Sequence, residues 1–520
     1  MRVVSADLWA PAPGEVVTWD VRPGAGRVPQ PAPLTFNQRN HLLGADAGEP
    51  SVWITAAFEV DGPVDLDALE AAFRDLVAGH PGLWVEAVRR SEPGQSGPGR
   101  AVAGPTKAGG AAGRPGGGVG LVRHEPGSLV WQRHDGPVTR TVEGTREHLV
   151  AELGRRCAPF GYPAFLPAAI SRPGRSTIVL GMDHLHTDAW STTVVVDELA
   201  GLYAQHTRHA APVLAMAGAV AGVEIGAPAV AAARPMAAAA LALSSACSVD
   251  TAGLSDPAGP NGQARAADLA RPAAPAAGAA PVGADDPRLA TWHGFLRDRG
   301  WALPTFPLPL GVPGGERVPQ RTVVRPLADA AAADSVAARA RAAGASTSAA
   351  VLATLAGAVA DLGGPVVLET LLPVHTRADA AARRAVGWHT TTVPLRIDVG
   401  DGADGALAAT GKALRAAREL SAVPLEQVVE TLPRPLRSPR VDIFQVSYLD
   451  YRRLPGHTAA AGRRAHHVSA ATRADDLQVW VSRTDDGIAV RARMPRTDVA
   501  VETVDALLDH WTARLAALTD

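Results

Sequence analysis

Residues 207–284 of this 520-residue chain are dominated by Ala, Pro and Gly. Side chains that small bury too little area to offset the entropy of ordering the backbone. The stretch therefore divides the sequence into two halves, each of which must build its own core. Both halves can do so, because 47% of the chain is hydrophobic and 20% charged. The insert's apolar content is mostly Ala and is interrupted by Glu224, Pro228, Arg234 and Pro235. A membrane span needs about 20 consecutive strongly apolar residues, which this stretch does not supply. Loop closure grows slowly with length, so replacing about residues 212–280 by a short linker is expected to leave the melting temperature unchanged.

The two halves are mixed α/β. In the first, the spacing predicts a strand over 52–60 and a helix over 65–79, with Leu66, Leu69, Ala72, Phe73 and Leu76 on one face. Residues 91–119 read as a flexible Gly/Pro loop, 129–132 and 138–142 as a hairpin, and 145–156 as a helix. A strand over 176–182 and a helix over 190–205 follow. The second half reads as strand 322–325, helices 328–343 and 347–362, and strands 365–372 and 391–399. Helices 403–420 and 425–432, strand 443–449, a hairpin over 477–494 and a helix over 501–518 complete it. Four segments result: an N-terminal extension 1–31, an N-terminal lobe 32–206, the insert 207–284 and a C-terminal lobe 285–520.

The formal net charge of −2 gives no general attraction to nucleic acid or to an anionic membrane. Two cysteines, Cys157 and Cys247, exclude a disulfide framework and make a reducing compartment, the cytoplasm, the expectation. The opening residues show no basic-then-apolar leader pattern.

Chemistry concentrates at Asp183-His184-Leu185-His186-Thr187-Asp188-Ala189-Trp190-Ser191. His184 and Asp188 form His-x-x-x-Asp at a strand-to-helix junction. The strand end holds the His backbone while the turn leaves its ring accessible. An imidazole of ordinary pKa can take a proton at neutral pH. Asp188 lies at the helix start, where the dipole favours a carboxylate. The spacing is weak evidence alone, since His375 and Asp379 repeat it in a polar, Arg-containing segment that reads as an ordinary loop. His184-Leu185-His186-Thr187-Asp188 also matches His-x-His-x-Asp, but Ala189 stands where that metal motif needs a further His, so no metal is expected. His466-His467 lies in an Arg-rich polar stretch and reads as solvated.

The chain resembles the condensation domains of nonribosomal peptide synthetases, in the chloramphenicol-acetyltransferase-like superfamily. The resemblance rests on ordered segments: Thr35-Phe36-Asn37-Gln38-Arg39, the turn and helix from Gly62-Pro63-Val64-Asp65, Gly79-His80-Pro81-Gly82-Leu83-Trp84, and the His184 segment. Val386 to Arg396, Val423-Pro424-Leu425-Glu426 and Phe444 to Tyr448 continue it. It implies two chloramphenicol-acetyltransferase-like lobes in a V-shaped arrangement with a tunnel between them. It also implies a condensation-type acyltransferase of natural-product biosynthesis. The donor would be an acyl thioester on the phosphopantetheine of an acyl or peptidyl carrier protein. The acceptor would be an amine or alcohol, free or carrier-bound, and the product an amide or ester.

His184 is implied as the catalytic residue. Asp188 is implied as structural, paired with an Arg of the second lobe, for which Arg321 is the candidate and Arg325 the reserve. Asp183, Ala189, Trp190, Thr391 and Ser447 are tunnel or substrate-lining candidates. No bound cofactor, membrane or nucleic acid is implied. Carrier, adenylation and thioesterase motifs are absent from the sequence, so the expectation is a free-standing protein that meets its carrier in trans. Three positions depart from the family pattern: Asp183 replaces a His, Ala189 a Gly and Thr391 an Asn. These changes support a second reading, a degenerate condensation-fold protein that binds a carrier or synthetase without catalysis.

Overall fold

Buried β-strands alternate with amphipathic helices along both halves, and in the computed structural model the strands assemble into two large sheets. The structure describes residues 1–24, 29–90, 118–219, 280–400 and 402–519. The expected flexibility of 91–117 and the dispensability of most of the insert concern residues outside those described.

The first sheet has seven strands in the order β1 (Arg2–Ser5), β14 (His466–Ser469), β4 (Trp53–Asp61), β9 (Arg175–Asp183), β8 (Phe165–Ser171), β2 (Glu15–Pro23) and β7 (Leu129–Val138). β9 is a continuous apolar run because both its faces are covered. Ile178 and Leu180 pack on one side with Phe58 and Phe73. Val179 packs on the other with Leu149 and Leu153. The covering helices are Leu66–Gly79 and Ala189–Ala219 on the first face and Val142–Arg156 on the second. Asp65 caps the first of these, accepting the Ala68 N–H at 3.0 Å.

The second sheet runs β12 (Thr390–Asp398), β11 (Val367–His375), β13 (Gln445–Asp450), β16 (Gln478–Thr484), β17 (Gly487–Pro495), β10 (Val318–Asp329) and β15 (Arg473–Ala474). Its core helix Thr347–Asp361 is apolar nearly all round, and is correspondingly buried. Trp511 of the C-terminal helix Asp498–Ala516 donates to the Val351 carbonyl within that helix at 3.0 Å. A third, three-stranded sheet joins β3 (Gln30–Ala32), β6 (Val119–Arg123) and β5 (Val85–Arg89).

Four segment expectations change. Residues 1–31 are not an extension, because β1 and β2 are strands of the first sheet. The C-terminal segment is not confined to the second lobe: β14 inserts between β1 and β4, and Ala460 and Ala465 join the first lobe's core. Residues 129–138 form one long strand beside β2 instead of a hairpin arm. The helix expected to end at 205 continues to Ala219.

Adjacent acids pin the second lobe's loops. Asp475 accepts the Val441, Asp442 and Gly315 N–H groups. Asp476 accepts the Phe306 and Leu477 N–H groups. Burial dominates at Asp476 and pushes its pKa up to about 7, against the lowering effect of those N–H groups. The native state then holds this proton more tightly than the unfolded chain does. Its stabilisation is complete below the unfolded carboxyl value of ~3.9 and is lost as pH rises towards 7. Asp476→Asn should therefore flatten the fall in melting temperature across that window, read by thermal denaturation at a series of pH values.

Candidate active site

The end of β9 hands the chain to a single tight turn, His184–His186, before the helix at Ala189. The His184 N–H donates to the Val52 carbonyl at 2.8 Å, and Asp183 N–H to Ala164 at 2.8 Å, so the turn is tied to neighbouring chain on both sides. The half-buried His184 ring lies against Trp388, with centroids 4.0 Å apart. Burial first, then the nearby His41, lowers the His184 pKa below the ordinary histidine value. The ring is therefore neutral at neutral pH, the form that can accept a proton. Its Nδ1 is buried and has no hydrogen-bond partner among the described residues.

Asp188 joins the lobes. Its ion pair is with Arg377, in the turn after β11: Nη1 to Oδ2 is 2.7 Å and Nη2 to Oδ1 is 3.0 Å. The carboxylate also accepts the Ser191 N–H and Oγ–H at 2.8 Å each, the His389 N–H at 3.1 Å and the Thr390 hydroxyl at 3.2 Å. Burial pushes its pKa up, but the Arg377 charge and these hydrogen bonds outweigh it and hold the carboxyl at about 2. The pair is sealed, with the Arg377 and Asp188 side chains 0% and 6% exposed.

The Arg assignment from sequence was wrong on this point. Arg321 is exposed on β10, opposite Met494. Arg325 pairs with Asp505 and Asp509. The correct residue lies inside the second His-x-x-x-Asp. His375 packs on Trp190, with centroids 4.9 Å apart, and Asp379 caps the helix Ala380–Arg383 through the Ala382 N–H. That segment presents Arg377 to the first lobe. A sequence signal existed: an Arg in a rigid, strand-following segment rather than on a regular strand.

The same surface is clamped further. The Gly387 N–H donates to Ser191 Oγ at 3.2 Å, and Trp190 Nε1 to the Arg383 carbonyl at 2.8 Å. A Cβ on Gly82 would lie 2.4 Å from the Val386 carbonyl, so the close approach of the two lobes requires Gly there.

The structure distributes the remaining candidates. Asp183 is fully buried beside His184 and pairs with His41. Ala189 opens the helix. Trp190 is a bridge between lobes. Thr391 lies in register with Val374 on β12, and its neighbour Thr390 makes the contact to Asp188. Ser447 is in the middle of β13, opposite Trp480. His186 Nδ1 donates to the Gly82 carbonyl at 2.8 Å. His467 is buried in β14, not solvated, with Nδ1 3.3 Å from Thr192 Oγ1, and burial pushes its pKa down to about 3. Sequence reading missed His41 and Trp388 at the site itself. Both belong to segments quoted for the family likeness or adjoining it, but nothing local marks their rings as meeting.

A small cleft opens beside this turn, lined by Thr35, Gln38, Gly82, Leu185, Trp388 and His389 among others. Gln38 Nε2 donates to the Leu185 carbonyl at 3.1 Å, so one wall is tied to the turn that carries His184. Asn37 Nδ2 donates across to Thr390 at 2.8 Å.

No family model matches the chain. Among curated proteins, acyltransferase PapA3 of Mycobacterium tuberculosis is 29% identical over 233 residues, 42% of this chain and 47% of that protein. Trehalose-2-sulfate acyltransferase PapA2 of Mycobacterium bovis is 30% identical over 236 residues, 42% of this chain and 48% of that protein. The chain thus matches these curated relatives over about half their length. The solved PapA2 acyl transferase superposes with a TM-score of 0.72 at 18% identity, covering 100% of both chains. The first condensation domain of the calcium-dependent antibiotic synthetase superposes with a TM-score of 0.53 at 18% identity, covering 95% of this chain and 97% of that one. The two sheets, the helices that cover them and the turn at their junction are therefore the two-lobed architecture that these structures share, and the chain is a protein of the condensation-domain fold.

Proposed function

We propose that the protein is a condensation-type acyltransferase that moves an acyl group from a thioester to a hydroxyl or amine. The observation that carries this is the neutral His184 ring, set at a strand end beside a cleft and braced by a sealed ion pair between the lobes. The acceptor's O–H or N–H attacks the thioester carbonyl and gives its proton to His184. A C–O or C–N bond forms, the C–S bond breaks, and the proton ends on the departing thiolate. A thioester is already activated, so positioning and one proton acceptor meet the main demand. Asp188 and Arg377 touch neither reactant in this scheme. They hold the two lobes, and so the two walls of the cleft, in register.

The similarity to enzymes named as acyltransferases supports the reading. One of those names specifies trehalose-2-sulfate, a hydroxylated acceptor, which favours ester over amide formation here. The proposed donor is an acyl chain on the phosphopantetheine of a carrier protein supplied in trans.

The test is an assay of purified protein with acyl thioesters, free and carrier-bound, against hydroxyl and amine acceptors, followed by mass spectrometry. A new ester or amide that depends on the protein supports the proposal. No product from any pairing overturns it. The pH profile carries a further expectation. Because burial lowers the His184 pKa, the base form persists as pH falls. The acidic limb of kcat should therefore lie below ~6.5, the ordinary histidine value. A limb centred above it would exclude His184 as the titrating base.

A further inference from the structure

The small cleft beside the His184 turn has walls from both lobes. Ala32, Pro33, Val85, Leu121 and Leu185 belong to the first, and the segment from Ala385 to His389 to the second. Its polar side chains are already engaged within the protein. Gln38 donates from Nε2 to the Leu185 carbonyl at 3.1 Å, and its Oε1 accepts the Thr35 N–H at 3.1 Å and the Thr35 hydroxyl at 3.0 Å. His389 is buried, and that burial first, then the Arg377 charge, lowers its pKa, so it brings no charge at neutral pH. A polyhydroxylated group placed here would leave hydroxyls without partners, which is unfavourable for each one. An alkyl chain would leave none.

Trp388 stands between this cleft and the reacting centre. It is one of the cleft's walls, and its half-buried ring also lies against His184, with centroids 4.0 Å apart, and edge to face against His41 at 5.9 Å. His184 is not one of those walls. One indole therefore separates the apolar space from the imidazole. The backbone around it is pinned to the first lobe. The Val386 N–H donates to His80 Nδ1 at 3.3 Å, the Gly387 N–H to Ser191 Oγ at 3.2 Å and the His389 N–H to Asp188 at 3.1 Å. The docked lobes thus deliver this ring to one place, and the room beside His184 is what the ring leaves unfilled.

We propose that Trp388 is a chain-length determinant: the apolar cleft is an extension of the acyl site, and the indole closes that extension off from His184. The substrate class is a short-chain acyl thioester, and a smaller side chain at 388 admits long chains. This inference rests on the acyl-transfer reading given above. Trp388 acts on the choice of donor, while proton transfer stays with His184.

The experiment compares kcat/KM for the butanoyl and decanoyl thioesters of N-acetylcysteamine, with glycerol as acceptor. The wild type should prefer butanoyl. Trp388→Ala should raise the decanoyl-to-butanoyl ratio at least about tenfold, since each methylene that the opened cleft takes from water corresponds to a factor of about four. Trp388→Phe keeps an aromatic ring on His184 and should raise the ratio by less; it also serves if the Ala variant fails to fold. Taking a ratio cancels any common loss of rate from a disturbed His184. An equal fall for both chains, with the ratio unchanged, would make Trp388 a support for His184 and overturn the proposal. A wild type that already prefers decanoyl would overturn it too.

A second readout needs no turnover. Binding of S-butyl and S-decyl N-acetylcysteamine, thioethers that cannot transfer an acyl group, is followed by titration calorimetry. The decyl-to-butyl affinity ratio should rise in Trp388→Ala in step with the kinetic ratio. A protein that acylates nothing, yet shows this rise, would refute the acyl-transfer reading while supporting Trp388 as the residue that limits chain length. An unchanged affinity ratio would refute the role of Trp388 whatever the activity.

Discussion

Arg377→Met should destabilise the protein by about 3–5 kcal/mol, because it leaves the Asp188 carboxylate buried without its counter-charge. Both partners are sealed from solvent, and the guanidinium fork engages both carboxylate oxygens. Thermal or denaturant unfolding would measure the loss. Asp188→Ala should cost a similar amount, since it strands the cation in turn. The double variant should be less damaged than the sum of the two, because each single change already breaks the pair. Additive losses would show that the residues act separately. Arg377→Lys should rescue only partly: an ammonium restores the charge but not the planar two-bond match. Activity should fall with stability in this series, since the same pair holds the walls of the cleft together. The stabilisation should also vanish in acid. The Asp188 pKa is held at about 2, so its contribution is present above the unfolded carboxyl value of ~3.9 and is lost as pH falls towards 2.

His184→Ala should separate chemistry from stability in the opposite sense. Loss of a positioned proton acceptor costs on the order of 10²–10⁴ in rate. The ring is half-buried, its Nδ1 makes no bond among the described residues, and its main contact is Trp388. The melting temperature should therefore stay close to that of the wild type. The measurement pairs kcat for acyl transfer with a melting curve on the same preparation. Full retention of rate would remove His184 from the mechanism. Equal collapse of rate and melting temperature would make it a structural residue instead.

Much of the local architecture was legible from residue order. The helix Leu66–Gly79 follows from the spacing of Leu69, Ala72, Phe73 and Leu76, all of which are buried, behind an Asp65 cap. β9 follows from an unbroken apolar run, and the turn at His184 from its end. These features depend on neighbours within one or two helical turns or a strand's length, so the sequence states them directly. The family likeness added the two-lobed plan. The His-x-x-x-Asp motif located the junction, although spacing alone did not separate it from the copy at His375.

What tertiary structure decided is which distant segments meet. β14 enters the first sheet from the other half of the chain, and nothing in His466–Ser469 records that its partners are β1 and β4. Asp188 finds Arg377 at a separation of 189 residues, past the arginines that the strand pattern had made more attractive. His41 meets Asp183 across 142 residues, and Trp388 comes from the second half to face His184. Local periodicity sets which face of an element is buried, because each side chain's direction follows from its own backbone. The identity of the buried partner is set by the packing of whole layers, where one carboxylate in a sealed junction must be met by whichever cation the opposite lobe delivers there. Residue order determined the elements and the position of His184 at a strand end; the docking of the two lobes determined what surrounds it.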